Sequence, residues 1–133
     1  MILLSKEEIK LNSNSSEYNC PVSTTLELIG GKYKSLILWH LIDTTLRFGE
    51  LRKLIPQATP KMLTQQLREL ECANLLIRKV YPVVPPKVEY SLSDLGKSIQ
   101  PILNTMFNWG TDYLHNSGKE TNCSMCDKQK INY

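Results

Sequence analysis

Lys61, Gln65 and Arg68 are the three side chains whose types and spacing suggest the most specific chemistry in this sequence. With 100° between successive helical residues, they project from one face of a helix. There an ammonium, an amide and a guanidinium offer hydrogen-bond donors side by side. The pattern predicts a surface that binds an anion.

The helix that positions these groups is predicted to run from Pro60 to about Cys72. Thr59 is a favourable N-cap residue, and proline suits the first helical position because its missing N–H has no partner there. The opposite face carries an apolar stripe that belongs to a core, formed by Leu63, Leu67 and Leu70.

The distribution of charge agrees with an anionic partner. Residues 47–87 hold eight basic and three acidic side chains, a net charge of +5, whereas residues 1–46 and 88–133 each carry −1. A positive region between slightly acidic flanks favours a polyanion, although a merely solvated basic surface is the plain alternative.

Length and composition predict one domain. A chain of 133 residues, 41% hydrophobic and 22% charged, is too short for two large cores. The apolar runs are too short for a membrane span or a signal peptide, so we expect a cytoplasmic protein with no membrane contact. The four cysteines are expected to be reduced thiols.

Two helices are predicted before the basic region. The first begins at Cys20-Pro21, with Val22, Leu26 and Ile29 at helical spacing, and ends at the glycine pair 30–31. The second, from about residue 32 to 41, is apolar around most of its circumference and is expected to be central to the core. We interpret His40 within it as a packed histidine, since no second ligand lies at metal-binding spacing.

A short third helix, marked by Phe48, Leu51 and Leu54, is predicted to end at Pro56. Its close connection to the Pro60 helix indicates a helix-turn-helix, in which the second helix lies in a DNA groove. That helix should end near Asn74, which tolerates the left-handed conformation common there.

From residue 76 the sequence is typical of strands. The segments IRKVYPVV and KVEYSL flank Pro85-Pro86, which predicts a β-hairpin, with Pro82 at an exposed edge. Arg78, Lys79 and Lys87 make this hairpin basic. A basic hairpin after a helix-turn-helix is a wing.

A long last helix, capped by Ser93 and kinked near Pro101, is predicted to complete the domain. Its apolar face is longer than a small winged domain can cover, which indicates a homodimer through this helix. The stripe comprises Leu95, Ile99, Ile102, Met106, Trp109 and Tyr113. We therefore divide the chain into an N-terminal tail (1–19), a winged domain (20–115) and a polar C-terminal tail (116–133).

These segments together resemble the HxlR family of bacterial winged helix-turn-helix transcription regulators, which share the MarR architecture. The resemblance rests on CPVSTTLELIGGKYKSLILWHL, RFGELRKLIP, KMLTQQLRELE, PPKVEYSLSDLG and the PIL…W segment, over about residues 20–114. The family usually has tryptophan where this chain has Tyr33 and glycine where it has Asn74. The expected fold is mainly α, with a two-stranded β wing and a long C-terminal dimerisation helix.

The resemblance implies a homodimer on a pseudo-palindromic operator in double-stranded DNA, with the Pro60 helix in the major groove. Amide and guanidinium groups pair with adenine and guanine edges, and lysines pair with phosphates. We assign to the recognition helix Thr59, Pro60, Lys61, Thr64, Gln65 and Arg68. We assign to the backbone and wing Arg52, Lys53, Arg78, Lys79 and Lys87.

Cys20 would cap the first helix, where the helix dipole favours a thiolate. The resemblance adds that part of the family senses oxidants or electrophiles through a cysteine at this position. A small packing residue is the alternative. An intersubunit disulfide would need a partner, for which Cys123 and Cys126 are candidates. This CxxC also fits a redox pair, a metal site completed by a second chain, or a plain tail. Cys72, on the helix next to the DNA face, is expected to have no functional role.

No catalytic centre or cofactor site is indicated. The glycine pair 30–31 stands alone, and two histidines do not form a triad. The effector, if any, is not specified. The alternative to an operator-binding regulator is a winged-helix module for protein or RNA contact, or an adaptor that acts through the CxxC.

Overall fold

The computed structural model describes residues 19–122, which form six helices and one two-stranded antiparallel sheet. In chain order these are α1 (Pro21–Ile29), α2 (Lys34–His40), α3 (Phe48–Leu54), α4 (Pro60–Cys72), β1 (Leu76–Tyr81), β2 (Lys87–Leu92), α5 (Asp94–Lys97) and α6 (Gln100–Asn116). The arrangement confirms the predicted winged helix-turn-helix. The predicted N-terminal tail, except Asn19, and the segment with Cys123 and Cys126 lie outside the described residues.

Helix α2 lies at the centre of the core, as its apolar sequence predicted. Ile37, Leu38 and Trp39 are completely buried, and His40 is buried with them. The indole of Trp39 stacks on Phe107 of α6 with ring centroids 5.2 Å apart. The last helix is therefore anchored on the centre of the domain.

Helix α1 begins and ends where the sequence predicted, but its apolar stripe is largely uncovered. Val22 is 69% exposed and Leu26 is 62% exposed, and only Ile29 joins the core. Helix α2 begins two residues later than predicted, because Gly31 takes a left-handed conformation (φ +66°) in the turn before Lys34.

Helix α4 has the predicted bounds, cap and buried face. The side chain of Thr59 accepts a hydrogen bond from the backbone N–H of Met62 at 3.1 Å, and Asn74 is left-handed (φ 63°) just beyond the helix. The predicted stripe is buried throughout: Leu63, Leu67 and Leu70.

The wing is a regular hairpin in which Leu76 pairs with Leu92 at the base and Tyr81 pairs with Lys87 near the tip. Tyr90 also forms an isolated bridge with Leu46, which fixes the base of the wing to the segment before α3. Pro82 lies just after β1, so it removes no hydrogen bond from the ladder.

The long C-terminal helix is present, but the prediction that it is kinked and continuous from Ser93 is wrong. Ser93 caps the short helix α5, accepting from the N–H of Gly96 at 2.9 Å, and the long helix α6 begins separately at Gln100. Pro101 lacks the N–H that would continue the first helix and suits a first turn instead. Leu103, which was not in the predicted stripe, is buried in the core.

Candidate nucleic-acid interface

The outward face of α4 presents unengaged polar groups. Lys61, Gln65 and Arg68 are exposed, and within residues 19–122 none of their side chains makes a hydrogen bond or an ion pair. Thr64 lies beside them, and its hydroxyl donates to the carbonyl of Pro60 at 2.8 Å. This face offers several donors to an external partner.

The neighbouring flank of α4 holds the helix in place instead. The side-chain oxygen of Gln66 accepts a hydrogen bond from the backbone N–H of Tyr33 at 2.9 Å. Glu69 lies 3.8 Å from the ammonium of Lys34 on α2. Two adjacent faces of one helix therefore have different roles, one docking on the turn before α2 and the other facing solvent.

An open cleft of about 690 Å³ runs along the outward face. It is lined by Phe48 at the start of α3 and by side chains of α4 from Pro60 to Cys72. An aromatic ring and basic groups therefore line the same cleft. Such a surface suits a polar, anionic partner that also offers flat or apolar contacts.

The basic side chains of α3 lie near the end of that helix. Arg52 and Lys53 are both exposed in its last turn, where a positive charge also offsets the helix dipole. In a helix-turn-helix the first helix crosses the nucleic-acid backbone. The exposure of Arg52 and Lys53 leaves both positive charges accessible to an anionic partner.

Alternation along the wing separates its basic residues. Residues that pair across the two strands lie on the same face of the hairpin, and successive residues along one strand lie on opposite faces. Lys79, Tyr81, Lys87 and Glu89 therefore lie on one face. Arg78 lies on the other face, opposite Tyr90. The two lysines of the wing therefore lie on one face, and its arginine lies on the other face.

The two lysines surround one aromatic ring. Each ammonium, of Lys79 and of Lys87, lies 4.9 Å from the centroid of the Tyr81 ring. The ammonium of Lys87 is also 3.5 Å from the Glu89 carboxylate. We name Lys79, Tyr81, Lys87 and Glu89 the wing cluster.

A carboxylate completes the wing cluster in its charged form. The hydroxyl of Tyr81 donates a hydrogen bond to Glu89 and lowers the pKa of that carboxyl below its usual value. Partial desolvation opposes this shift, and the positive charges of Lys87 and Arg47 add to it. Tyr81 and Glu89 were not among the predicted site residues, although the two-residue alternation along each strand places them on the same face as the lysines.

The cysteines occupy two different settings. Cys20 is the N-cap residue of α1, and its carbonyl accepts from the N–H of Thr24 at 2.8 Å. Cys72 is half-buried at the end of α4. Between residues 19 and 122 there is no group of three or more His, Cys, Asp or Glu side chains that could hold a metal.

An apolar stripe on α6 faces solvent. Its members are Ile102, Met106, Trp109 and Tyr113, of which Trp109 is 68% exposed and stacks on Tyr113 at 5.4 Å. Ile99, which we predicted to share this stripe, packs against the core of its own chain.

In the part of the chain that the structure describes, no helix is long and apolar enough to cross a membrane.

Comparisons with known proteins agree with this geometry. A family described as HxlR-like helix-turn-helix matches residues 28–118. The HTH-type transcriptional regulator YdeP of Bacillus subtilis is 54% identical over 94 residues, which cover 71% of this chain and 73% of YdeP.

Two solved structures extend the similarity to the fold. The oxidised form of the redox regulator HypR is 50% identical, with a TM-score of 0.66 over 68% of this chain and 94% of HypR. The crystal structure of the HTH-type regulator YtcD is 49% identical, with a TM-score of 0.70 over 73% of this chain and 99% of YtcD. The chain therefore belongs to the HxlR family of winged helix-turn-helix transcriptional regulators, which are DNA-binding proteins and not enzymes.

Proposed function

We propose that the protein is a homodimeric regulator in the cytoplasm that binds a pseudo-palindromic operator and is controlled by oxidation or alkylation of Cys20. The observation that carries the proposal is the outward face of α4, where three adjacent long polar side chains have no partner within residues 19–122. Membership of a family of DNA-binding regulators favours DNA over the protein or RNA partner that the sequence left open.

In this proposal α4 lies in the major groove. Its N-terminal end brings a positive dipole, Thr59 and Lys61 towards phosphates, with Pro60 starting the helix. Gln65, one turn further on, and Arg68, two turns further on, make bidentate contacts with adenine and guanine edges. The Thr64 hydroxyl already donates its hydrogen to the Pro60 carbonyl, so its methyl group is the part that meets a thymine methyl.

The other basic residues act on the backbone. Arg52 and Lys53 meet phosphates from α3, and Lys79 and Lys87 meet them from the wing. Arg78 lies on the opposite face of the wing, so it contacts the DNA backbone only if the hairpin enters a groove with both faces beside phosphates. Each phosphate contact adds to the salt dependence of binding and little to its sequence specificity.

The dimer forms through the exposed stripe of α6. An aromatic and apolar face of this length on a small domain marks an interface, and a two-fold axis through it would present two recognition helices to one duplex. Val22 and Leu26 of α1 are also exposed, and in this proposal they add to the apolar area that the dimer buries. In dimeric helix-turn-helix proteins the half-sites lie about 10 base pairs apart or a multiple of that spacing.

Cysteine control rests on the position of Cys20 and on similarity to HypR, which is described as a redox regulator. A thiol at a helix N-terminus is favoured as a thiolate, which is the form that oxidants attack. An intersubunit disulfide would join it to Cys123 or Cys126, which lie outside the described residues.

The test is selection of bound duplexes from a random DNA pool, with and without diamide. An inverted repeat should be enriched from reduced protein and lost with the oxidant, and Cys20→Ser should keep binding under both conditions. Enrichment of no sequence would refute operator recognition. Loss of binding by oxidised Cys20→Ser would refute the sensor alone.

A further inference from the structure

The wing cluster brings two positive charges close to one aromatic ring. Two ammonium groups lie 4.9 Å from one ring centroid, so they are separated by no more than twice that distance. Two like charges on an exposed hairpin repel each other, and each belongs to a flexible four-carbon stem. An attractive interaction is needed to keep the two ammonium groups close to each other.

The Tyr81 ring supplies the first part of that attraction. The face of an aromatic ring carries negative charge density, and ammonium groups within about 6 Å of the centroid are drawn to it. The pairing register places Tyr81 directly opposite Lys87 and two residues from Lys79. One half-buried ring therefore reaches both lysines.

The Glu89 carboxylate supplies the second part. It lies 3.5 Å from the Lys87 ammonium. It also faces Lys79 across the ladder. The negative charge of the carboxylate thus partly offsets the repulsion between the two lysines.

We propose that Tyr81 is a positioning residue for DNA binding, because its ring holds the Lys79 and Lys87 ammonium groups side by side, ready to meet neighbouring phosphates. This inference rests on the proposed contact between the wing and the DNA backbone. Lysine side chains that are already held in place lose less conformational entropy when DNA binds. The ring therefore increases the affinity for DNA without touching DNA.

The experiment measures binding of a fluorescein-labelled duplex of random sequence by anisotropy over a range of salt concentrations. The variants are Tyr81→Leu, which removes the ring, and Tyr81→Phe, which keeps it. Ile77→Ala is the matched control, because Ile77 is exposed on the same face of β1 and lies outside the cluster. Thermal unfolding of each variant checks that the domain is intact.

Tyr81→Leu should weaken binding about threefold to tenfold at low salt while the slope of affinity against salt stays near that of the wild type, since both lysines remain. Tyr81→Phe should restore most of the affinity. The double variant Lys79→Ala/Lys87→Ala should instead lower the slope, by about 0.9 for each phosphate that the wing no longer neutralises.

Three outcomes would overturn the inference. If Tyr81→Leu binds like the wild type while the double lysine variant is weakened, the wing binds the backbone but the ring positions nothing. If Tyr81→Phe is as weak as Tyr81→Leu, the hydroxyl matters and the ring does not. If the double lysine variant itself binds like the wild type, the proposed role of the wing is wrong and the inference falls with it.

Discussion

Helices α4 and α6 carry apolar stripes of similar periodicity, yet the structure treats them in opposite ways. The α4 stripe is buried, with Leu67 only 1% exposed. The α6 stripe remains in solvent, with Trp109 68% and Met106 46% exposed. Periodicity identifies a helix face that needs a partner, but it does not say whether the partner belongs to the same chain.

The difference follows from the surroundings of each helix. Helix α4 has α2 on one side and β1 on another, so its leucines are covered within the chain. Helix α6 meets the domain along one edge, through Leu103 and the stack of Phe107 on Trp39. A helix attached along one edge has a second face left for another molecule.

The largest expected effect is on folding. Leu67→Ala should lower the free energy of unfolding by about 2–5 kcal/mol, because it leaves a cavity in the core. Met106→Ala, the matched truncation on α6, should change it by less than about 1 kcal/mol in dilute protein, as substitutions on exposed surfaces usually do. Urea unfolding at several protein concentrations measures both. Equal losses for the two variants would contradict the difference between the stripes.

The next effect is on assembly. Trp109→Glu places a charge in the centre of the exposed α6 stripe and should weaken self-association by about 2 kcal/mol or more, as truncation of a buried aromatic anchor does. Sedimentation velocity should show the wild type as a dimer and this variant as a monomer at micromolar concentration. A wild type that is monomeric there would refute the dimer proposal.

The α4 helix could be predicted closely because its signals are local. Thr59 and Pro60 mark its start, Asn74 follows its end, and the leucine spacing indicates its buried face. The position of Lys61, Gln65 and Arg68 in solvent follows from the same periodicity. This part of the candidate site needed no knowledge of the rest of the fold.

The parts that could not be predicted depend on tertiary contacts. Leu103 is buried and Ile102, its neighbour on the same helix, is exposed, so the face of α6 that meets the core is decided by tertiary packing. The wing cluster depends on pairing register, which joins Tyr81 to Lys87 across the hairpin. The exposure of Val22 and Leu26 depends on which neighbours reach α1.

A smaller effect on DNA affinity distinguishes contacts with bases, assigned to α4, from contacts with phosphates, assigned to the wing. Arg68→Ala should cost about 1–3 kcal/mol on the selected operator and relax specificity at one base pair. Lys87→Ala should weaken operator and random duplexes alike, by about 1 kcal/mol or less, and flatten the salt dependence. Titration of both duplexes measures this. If the two variants behave alike on both, the roles assigned to α4 and the wing are wrong.

The smallest effect concerns how the two helices begin. Thr59 caps α4 through its side chain, whereas Ile99, the N-cap residue of α6, makes no such bond. Thr59→Ala should therefore lower the free energy of unfolding by about 1 kcal/mol. Thr59→Asp should keep the cap and the stability, but its negative charge should weaken DNA binding about tenfold if this helix end approaches phosphates. Thermal unfolding and anisotropy on the same samples separate the two roles. An aspartate variant that binds DNA like the wild type would place the N-terminus of α4 away from the backbone.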